Sequence, residues 1–219
     1  MIRGLLQPDM PGEPASDCAL CPRLADFRAV NRTAHPGWHN APVASFGDPD
    51  ARLLVVGLAP GLQGANRTAR PFTGDYAGDL LYATLAKFGY TSGTYAARPD
   101  DGLMLSDVMI TNSVRCVPPQ NKPTPAEIAT CRRFLAARAQ AMPRIEVILS
   151  LGRIAHESVV RLAGARLKDH PFAHGAHHAL PGWSLYDSYH CSRYNTNTGR
   201  LTRAMFEAVF ADIASALGR

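Results

Sequence analysis

Short apolar runs and amphipathic stretches alternate along most of this chain. Leu53–Val56 is a continuous apolar run of strand length that passes directly into Gly57-Leu58-Ala59-Pro60-Gly61, as a buried strand opening into a loop would. Across Tyr76–Phe88, the residues Leu81, Leu85 and Phe88 share one helical face, and Gly89 supplies the stop. Leu103–Thr111, Val147–Leu151 and Leu185–Tyr189 read as three further strands. Thr124-Pro125-Ala126-Glu127 is a capping box with proline at the first helical position, opening a helix to about Ala141. Gly152–Leu162 reads as another helix, and a last one carries Met205, Val209, Ile213 and Leu217 on one side. A short helix is expected around Cys18–Val30.

Strands alternating with helices predict an α/β fold, one three-layer α/β/α domain over residues 1–219 with a central four-stranded parallel sheet. The chain shows no internal repeat or long linker, and its 18 Gly and 17 Pro are spread through the loops. Ligands of such folds sit beyond the carboxyl ends of the strands. Here those ends are Gly57–Gly61, Asn112 and His190, so three polar or backbone-exposing segments are expected at one mouth.

Composition adds bounds. With 219 residues and 46% hydrophobic content the chain can bury a substantial core. No apolar run approaches the ~20 residues that cross a membrane. Met1 to Pro14 lacks the apolar stretch and cleavage pattern of an export signal, so the expected location is the cytoplasm. The formal charge of +5 and pI of about 9.1 suit a nucleic-acid partner without requiring one.

Five cysteines carry the first chemical signal. Cys18 and Cys21 form a C-x-x-C near the start, Cys116 and Cys131 follow far downstream, and Cys191 stands alone. A reducing cytosol argues against disulfides. Four thiolates suit a structural metal centre, and spacing alone leaves iron–sulfur, zinc and no metal all open. Zinc ribbons usually offer two C-x-x-C knuckles. The split second pair, its last cysteine inside a predicted helix, is looser.

Four stretches then point one way: C-x-x-C at Cys18–Cys21, GLAPGLQGANRTARPFTGD from Gly57 to Asp75, TNSVRCVPPQNKPTPAE from Thr111 to Glu127, and HCSRYNTNTGRLT from His190 to Thr202. In this order and spacing, across nearly the whole chain, they resemble the uracil-DNA glycosylase superfamily, specifically its iron–sulfur family 5 (type B). The resemblance implies a [4Fe-4S] cluster on Cys18, Cys21, Cys116 and Cys131, tying residues 1–30 to the body. It also implies a monofunctional hydrolase that removes uracil, and other deaminated bases such as hypoxanthine and xanthine, from DNA as a monomer with no membrane partner.

The same resemblance assigns roles. Phe72 would stack against a base flipped from the duplex, a contact worth roughly 1–3 kcal/mol; the bland alternative is a core phenylalanine. Asn112 would read the O4 and N3–H edge of uracil, against the alternative of a turn-forming asparagine. His190 would donate a hydrogen bond to O2 as charge accumulates on the leaving base. Many relatives place an acidic or amide side chain beside the first strand's proline; here Leu58-Ala59-Pro60-Gly61-Leu62 has none. Type B enzymes supply the carboxylate later, which points to Asp75, a residue that could equally be the cap of the Tyr76 helix. Gly57, Ala59, Gly61, Gly64, Asn66 and Arg67 look similar to the pocket loop. Arg193, Tyr194, Asn195 and Arg200 follow the histidine in a loop suited to DNA contact.

Two clusters are set aside. His170, His174, His177 and His178 fall within nine residues, yet no helical or strand pairing gathers them around one ion. Adjacent residues on a strand point apart, which argues against a Cys191–His190 nucleophilic pair. The rivals to catalysis are an inactive iron–sulfur or zinc DNA-binding module and a cluster-bearing electron carrier; neither needs the Phe72, Asn112 and His190 set.

Overall fold

The computed structural model describes residues 12–219. In chain order the elements are α1 (Pro22–Ala34), β1 (Phe46–Gly47), β2 (Leu53–Gly57), α2 (Ala65–Thr68), α3 (Tyr76–Lys87), β3 (Thr91–Ser92), β4 (Met104–Leu105), β5 (Val108–Asn112), α4 (Pro125–Gln140), β6 (Val147–Leu151), α5 (Arg153–Leu162), β7 (His177–Leu180), β8 (Trp183–Ser188), α6 (Arg193–Asn197) and α7 (Arg203–Ala216).

The main sheet runs β1-β5-β2-β6-β8-β7. Its four central strands are parallel, with Gly57 opposite Asn112 and Leu53 opposite both Val108 and Val147. The expected four-stranded parallel sheet is therefore the middle of a six-stranded mixed one. Two antiparallel edges, β1 on β5 and β7 on β8, complete it. Both escape the pattern because β1 has two residues and β7 is a polar, half-exposed His-His-Ala-Leu. β3 and β4 form a separate short hairpin.

Alternation along β2 assigns the layers. Leu53 and Val55 pack with α3 and α7 through Leu81, Leu85, Phe206 and Phe210. Leu54 and Val56 pack on the other side with α4 and α5 through Leu135, Ala139, Ala155 and Val159. The result is the expected α/β/α sandwich, with hydrophobic burial as its main driving force.

Boundaries shift for local reasons. The helix expected at Cys18–Val30 starts at Pro22, whose fixed φ suits the first helical position, so both early cysteines lie before it. The strand expected at Leu103–Thr111 breaks at Asp107, which takes φ +59°. There its amide donates to Asp48 (3.0 Å) while its carboxylate receives Arg52 (2.7 Å). The capping box at Thr124 and Glu127 forms as expected. Part of the segment expected to be tied down by the cysteines, residues 1–11, lies outside the described residues. Among the described residues no helix is long and apolar enough to cross a membrane.

Candidate active site and cysteine cradle

The carboxyl ends of β2, β5 and β8 open on a cavity of about 550 Å³. Phe72, Asp75, Asn112 and His190 all line it, as do Ala59, Gly61 and Gly64. Phe72 and His190 face each other with ring centroids 5.9 Å apart and planes 27° apart.

Phe72 is held under strain. Its φ is +53°, a left-handed conformation that costs a bulky residue energy and persists only when the surroundings impose it. They do so here. Tyr82 Oη donates to the Pro71 carbonyl (2.7 Å) and Tyr95 Oη to that of Phe72 (3.3 Å). Just upstream, buried Arg70 forks onto Asp101 (2.7 and 2.8 Å) and reaches Thr73 Oγ1 (2.8 Å). That guanidinium also lies 5.2–5.7 Å from the rings of Phe46, Tyr82 and Tyr95. The Arg70 fork and its flanking hydrogen bonds hold Asp101 well below the usual carboxylate range despite burial.

Asp75 combines the two roles weighed from the sequence. It is the N-cap of α3, its Oδ1 accepting from the Gly78 amide at 3.4 Å. Its Oδ2 turns toward the Gly61–Gly64 loop: a Cβ on Gly61 would come within 3.1 Å of it, and one on Gly64 would collide with it. Burial pushes this carboxyl up from its ordinary value, partly offset by the α3 amides. Asn112 is 3% exposed, and its Oδ1 is buried without a hydrogen-bond partner. A Cβ on Gly57 would strike both Asn112 Oδ1 and the Phe72 ring, so glycine is what lets strand, amide and ring meet. Burial lowers His190 to about 4, leaving a neutral ring at neutral pH.

Other expected residues sit further back. Gly57 lies behind Asn112 and Phe72. Asn66 is buried, its amide donating to Asn40 Oδ1 (2.9 Å), and thereby ties the pocket loop to the turn after α1. Arg67 is exposed and does not line the cavity. In the loop after His190, Arg193 lines the mouth and lies 5.3 Å over the Tyr76 ring. Tyr194 is 72% exposed. Asn195 Nδ2 donates to the His190 carbonyl (2.8 Å), bracing the histidine, and Arg200 lies 4.6 Å over Tyr189. Among the lining residues that went unread in the sequence are Tyr76 and Asn121. Tyr76 begins α3 at the mouth, and Asn121 ends a one-turn 3-10 helix in which Gln120 and Asn121 both take φ +56°. The Pro118-Pro119-Gln120-Asn121 turn signal was there, but it did not say which way the amide would face.

The four expected cysteines gather at one small closed pocket between α1, α4 and the loop after β5. A zinc ion about 2.3 Å from each sulfur would draw them to about 3.8 Å of one another. No three of these sulfurs lie mutually within 4.8 Å. As placed, the sulfurs are not drawn together as one zinc ion would draw them, a spacing that suits a centre spreading its thiolates over several metal atoms. The Arg115 amide donates to Cys131 Sγ (3.3 Å), and Arg28 donates to Cys116 Sγ (3.7 Å) and to the Cys18 carbonyl (2.9 Å). Burial, then neighbouring Cys131, pushes the Cys116 thiol up to about 12, so this thiol ionises only with positive charge brought beside it. Glu13 lies 3.1 Å from both Arg115 and Arg138, all three side chains no more than 2% exposed. Cys191 lies apart and fully buried.

Residues 44–214 match the family model of the uracil DNA glycosylase superfamily. The chain is 48% identical to the type-5 uracil-DNA glycosylase of Thermus thermophilus over 202 residues, 89% of this chain and 91% of that one. It is 42% identical to the type-5 uracil-DNA glycosylase of Mycobacterium leprae over 213 residues, 93% of each. It is 38% identical to the type-5 uracil-DNA glycosylase of Pyrobaculum aerophilum over 190 residues, 85% of this chain and 83% of that one. The chain belongs to the uracil DNA glycosylase superfamily and groups with its type-5 members.

Proposed function

We propose that this superfamily member hydrolyses the N-glycosidic bond of uracil in DNA and leaves an abasic site. The observation that carries the reading is the convergence of Phe72, Asp75, Asn112 and His190 on one cavity at the strand ends. A base inside a duplex cannot enter such a cavity, so it must first swing out of the stack. Arg193 at the mouth and exposed Tyr194 beside it in sequence fill the gap, while Arg200 adds positive charge for phosphate.

Inside, the Phe72 ring covers one face of the base. Asn112 Oδ1, otherwise unpaired, accepts N3–H, and its amide nitrogen donates to O4. As the bond to C1′ lengthens, negative charge gathers on the base and positive charge on the sugar. Neutral His190 donates an N–H to O2, and Asp75 Oδ2 stabilises the sugar cation and orients the attacking water. The water's oxygen bonds to C1′, its proton passes to the carboxylate, and the base leaves as the anion. Asn121, on the rim, gives that water a second polar neighbour. Cys18, Cys21, Cys116 and Cys131 would hold a [4Fe-4S] cluster, with Arg28 and the Arg115 amide offsetting its negative charge. There it supplies cross-linking of the N-terminal segment to α4.

The test is incubation of the full chain with a defined oligonucleotide carrying one uracil, followed by alkali. Strand cleavage at that position supports the reading. Tight binding of the same DNA with no abasic site, by protein that retains its metal, would establish the inactive binding module instead.

A further inference from the structure

His156 of α5, His178 of β7 and Asp187 of β8 stand behind the strand end that leads to His190, and none of them lines the active-site cavity. Their donor atoms all lie within 4.8 Å of one another. Asp187 is fully buried, and the His156 and His178 side chains are 2% and 10% exposed.

The hydrogen bonds call for positive charge between His156 and Asp187, which either a second ring proton or a bound cation supplies. His156 Nε2 is 2.9 Å from the carbonyl oxygen of His170, so that nitrogen must bear the ring proton. A neutral ring then leaves Nδ1 as a bare lone pair. Yet Nδ1 stands 2.9 Å from the Asp187 carboxylate, itself only an acceptor. Two lone pairs repel at that distance unless positive charge lies between them. His178 turns Nε2 to the same carboxylate at 3.1 Å, and Ser150 Oγ donates to Asp187 Oδ1 at 2.6 Å, fixing its orientation.

We propose that His156, His178 and Asp187 form a binding site for a divalent transition-metal ion of the zinc type, separate from the cysteine cradle. Two imidazoles and a carboxylate are the ligands such an ion takes. A ligating histidine whose other N–H is fixed by a backbone carbonyl, and a carboxylate braced by a hydroxyl, are its usual outer partners. Bond lengths of about 2.0–2.1 Å in a tetrahedron separate neighbouring donors by about 3.3–3.4 Å. Small side-chain rotations from 2.9 and 3.1 Å reach that spacing. His178, at 10% exposure the least buried of the three, gives the entry path, and the fourth position is left for solvent. The ion staples the β7–β8 edge to α5 and steadies β8, whose Asp187 is three residues before His190.

Cobalt(II) titrated into the full chain tests this directly, because its visible spectrum distinguishes nitrogen and oxygen ligands from thiolate. We expect one equivalent bound without thiolate charge-transfer bands, displaced by zinc, with zinc at a hundredfold excess over Kd raising Tm by about 5–10 °C. H178A should abolish both effects while its metal-free Tm stays within a few degrees of the parent, since that side chain is not core. D187N should do the same, and if it fails to fold H178A carries the result. Spectra showing only thiolate ligation, or H178A binding as the parent does, would overturn the site. So would nitrogen NMR showing both His156 ring nitrogens protonated under saturating zinc, which would put a proton where the ion belongs.

Discussion

The cavity and the cysteine cradle hang from the same strand end, Asn112 at the close of β5 and Cys116 four residues on, yet they are built on opposite terms. In the cavity the polar atoms that matter are left unpaired or shifted by burial: Asn112 Oδ1 has no partner, burial raises Asp75, and burial lowers His190 to about 4. Those costs are borne by the surrounding scaffold, chiefly the Arg70–Asp101 pair and the tyrosine hydroxyls behind strained Phe72. The cradle instead gathers four sulfurs with N–H donors on two of them and braces its walls with ion pairs, Arg23 on Glu127 at 2.7 Å and Glu13 between Arg115 and Arg138. One region carries unpaired and desolvated groups, and the other is braced around its sulfurs. Mutations should therefore separate them cleanly: cavity changes cost rate, cradle changes cost fold.

The largest effect is expected in the cradle. C131A should bring iron from about four per chain to near zero and lower Tm by at least 5–10 °C, corresponding to about 2–3 kcal/mol. C191A, outside the cradle, should keep its iron. Colourless protein carrying stoichiometric zinc on these cysteines would break the comparison.

D75N reverses that pattern. Single-turnover release of uracil should fall roughly 10²-fold or more while DNA affinity holds. The sign for stability follows from the raised carboxyl: whatever stability it contributes is complete below about pH 3.8 and is lost as pH rises through its folded value. At neutral pH the amide therefore removes a buried charge and keeps a capping side chain, so Tm should be unchanged or higher. A rate loss that tracks a falling Tm would make Asp75 a cap alone.

His190 gives a pH test of the same environment. Its folded value lies below the unfolded 6.5, so its neutral form supports the fold above pH 6.5, and that support is lost as pH falls through about 4. A ring-proton NMR titration should show a midpoint near 4. A midpoint near 6.5 would mean a solvated, cationic ring at pH 6 and a different hydrogen-bond donor to the base.

Much of this division was readable before any coordinates. The long periodic elements, the capping box at Thr124 and the meeting of Gly57–Gly61, Asn112 and His190 all follow from pattern and strand-end logic. Unreadable were features set by contacts distant in sequence. Asn66 looks like a pocket residue until Asn40, 26 positions earlier, is seen to take its amide. Of the four clustered histidines, His178 faces Asp187 of β8, as does His156 of α5, and both of those residues come from outside the cluster. Edge strands β1 and β7 are too short or too polar to declare themselves, since pairing rather than propensity makes them strands.

N112A should act more narrowly than D75N. Loss of one hydrogen bond in a closed pocket costs about 1–2 kcal/mol of transition-state stabilisation, roughly 5- to 30-fold, and it should fall on uracil more than on hypoxanthine, whose edge sits differently. Equal losses on both would make Asn112 a wall of the cavity rather than its reader.

The smallest effect probes how tightly the cavity is set. Gly61 does not need glycine for its backbone angle; a methyl there would simply stand 3.1 Å from Asp75 Oδ2, a few tenths of an ångström too close. G61A should displace that oxygen slightly and slow uracil release several-fold, with Tm unaltered, because catalytic geometry is sensitive to shifts that packing absorbs. G64A collides with the same carboxylate and should cost more. The decisive measurement is the double variant. If Gly61 acts only by leaving room for the carboxylate, G61A in a D75N background should cost almost nothing further, a coupling of the size expected for residues in contact. Additive losses would mean that the loop, rather than the oxygen it flanks, is what the base requires.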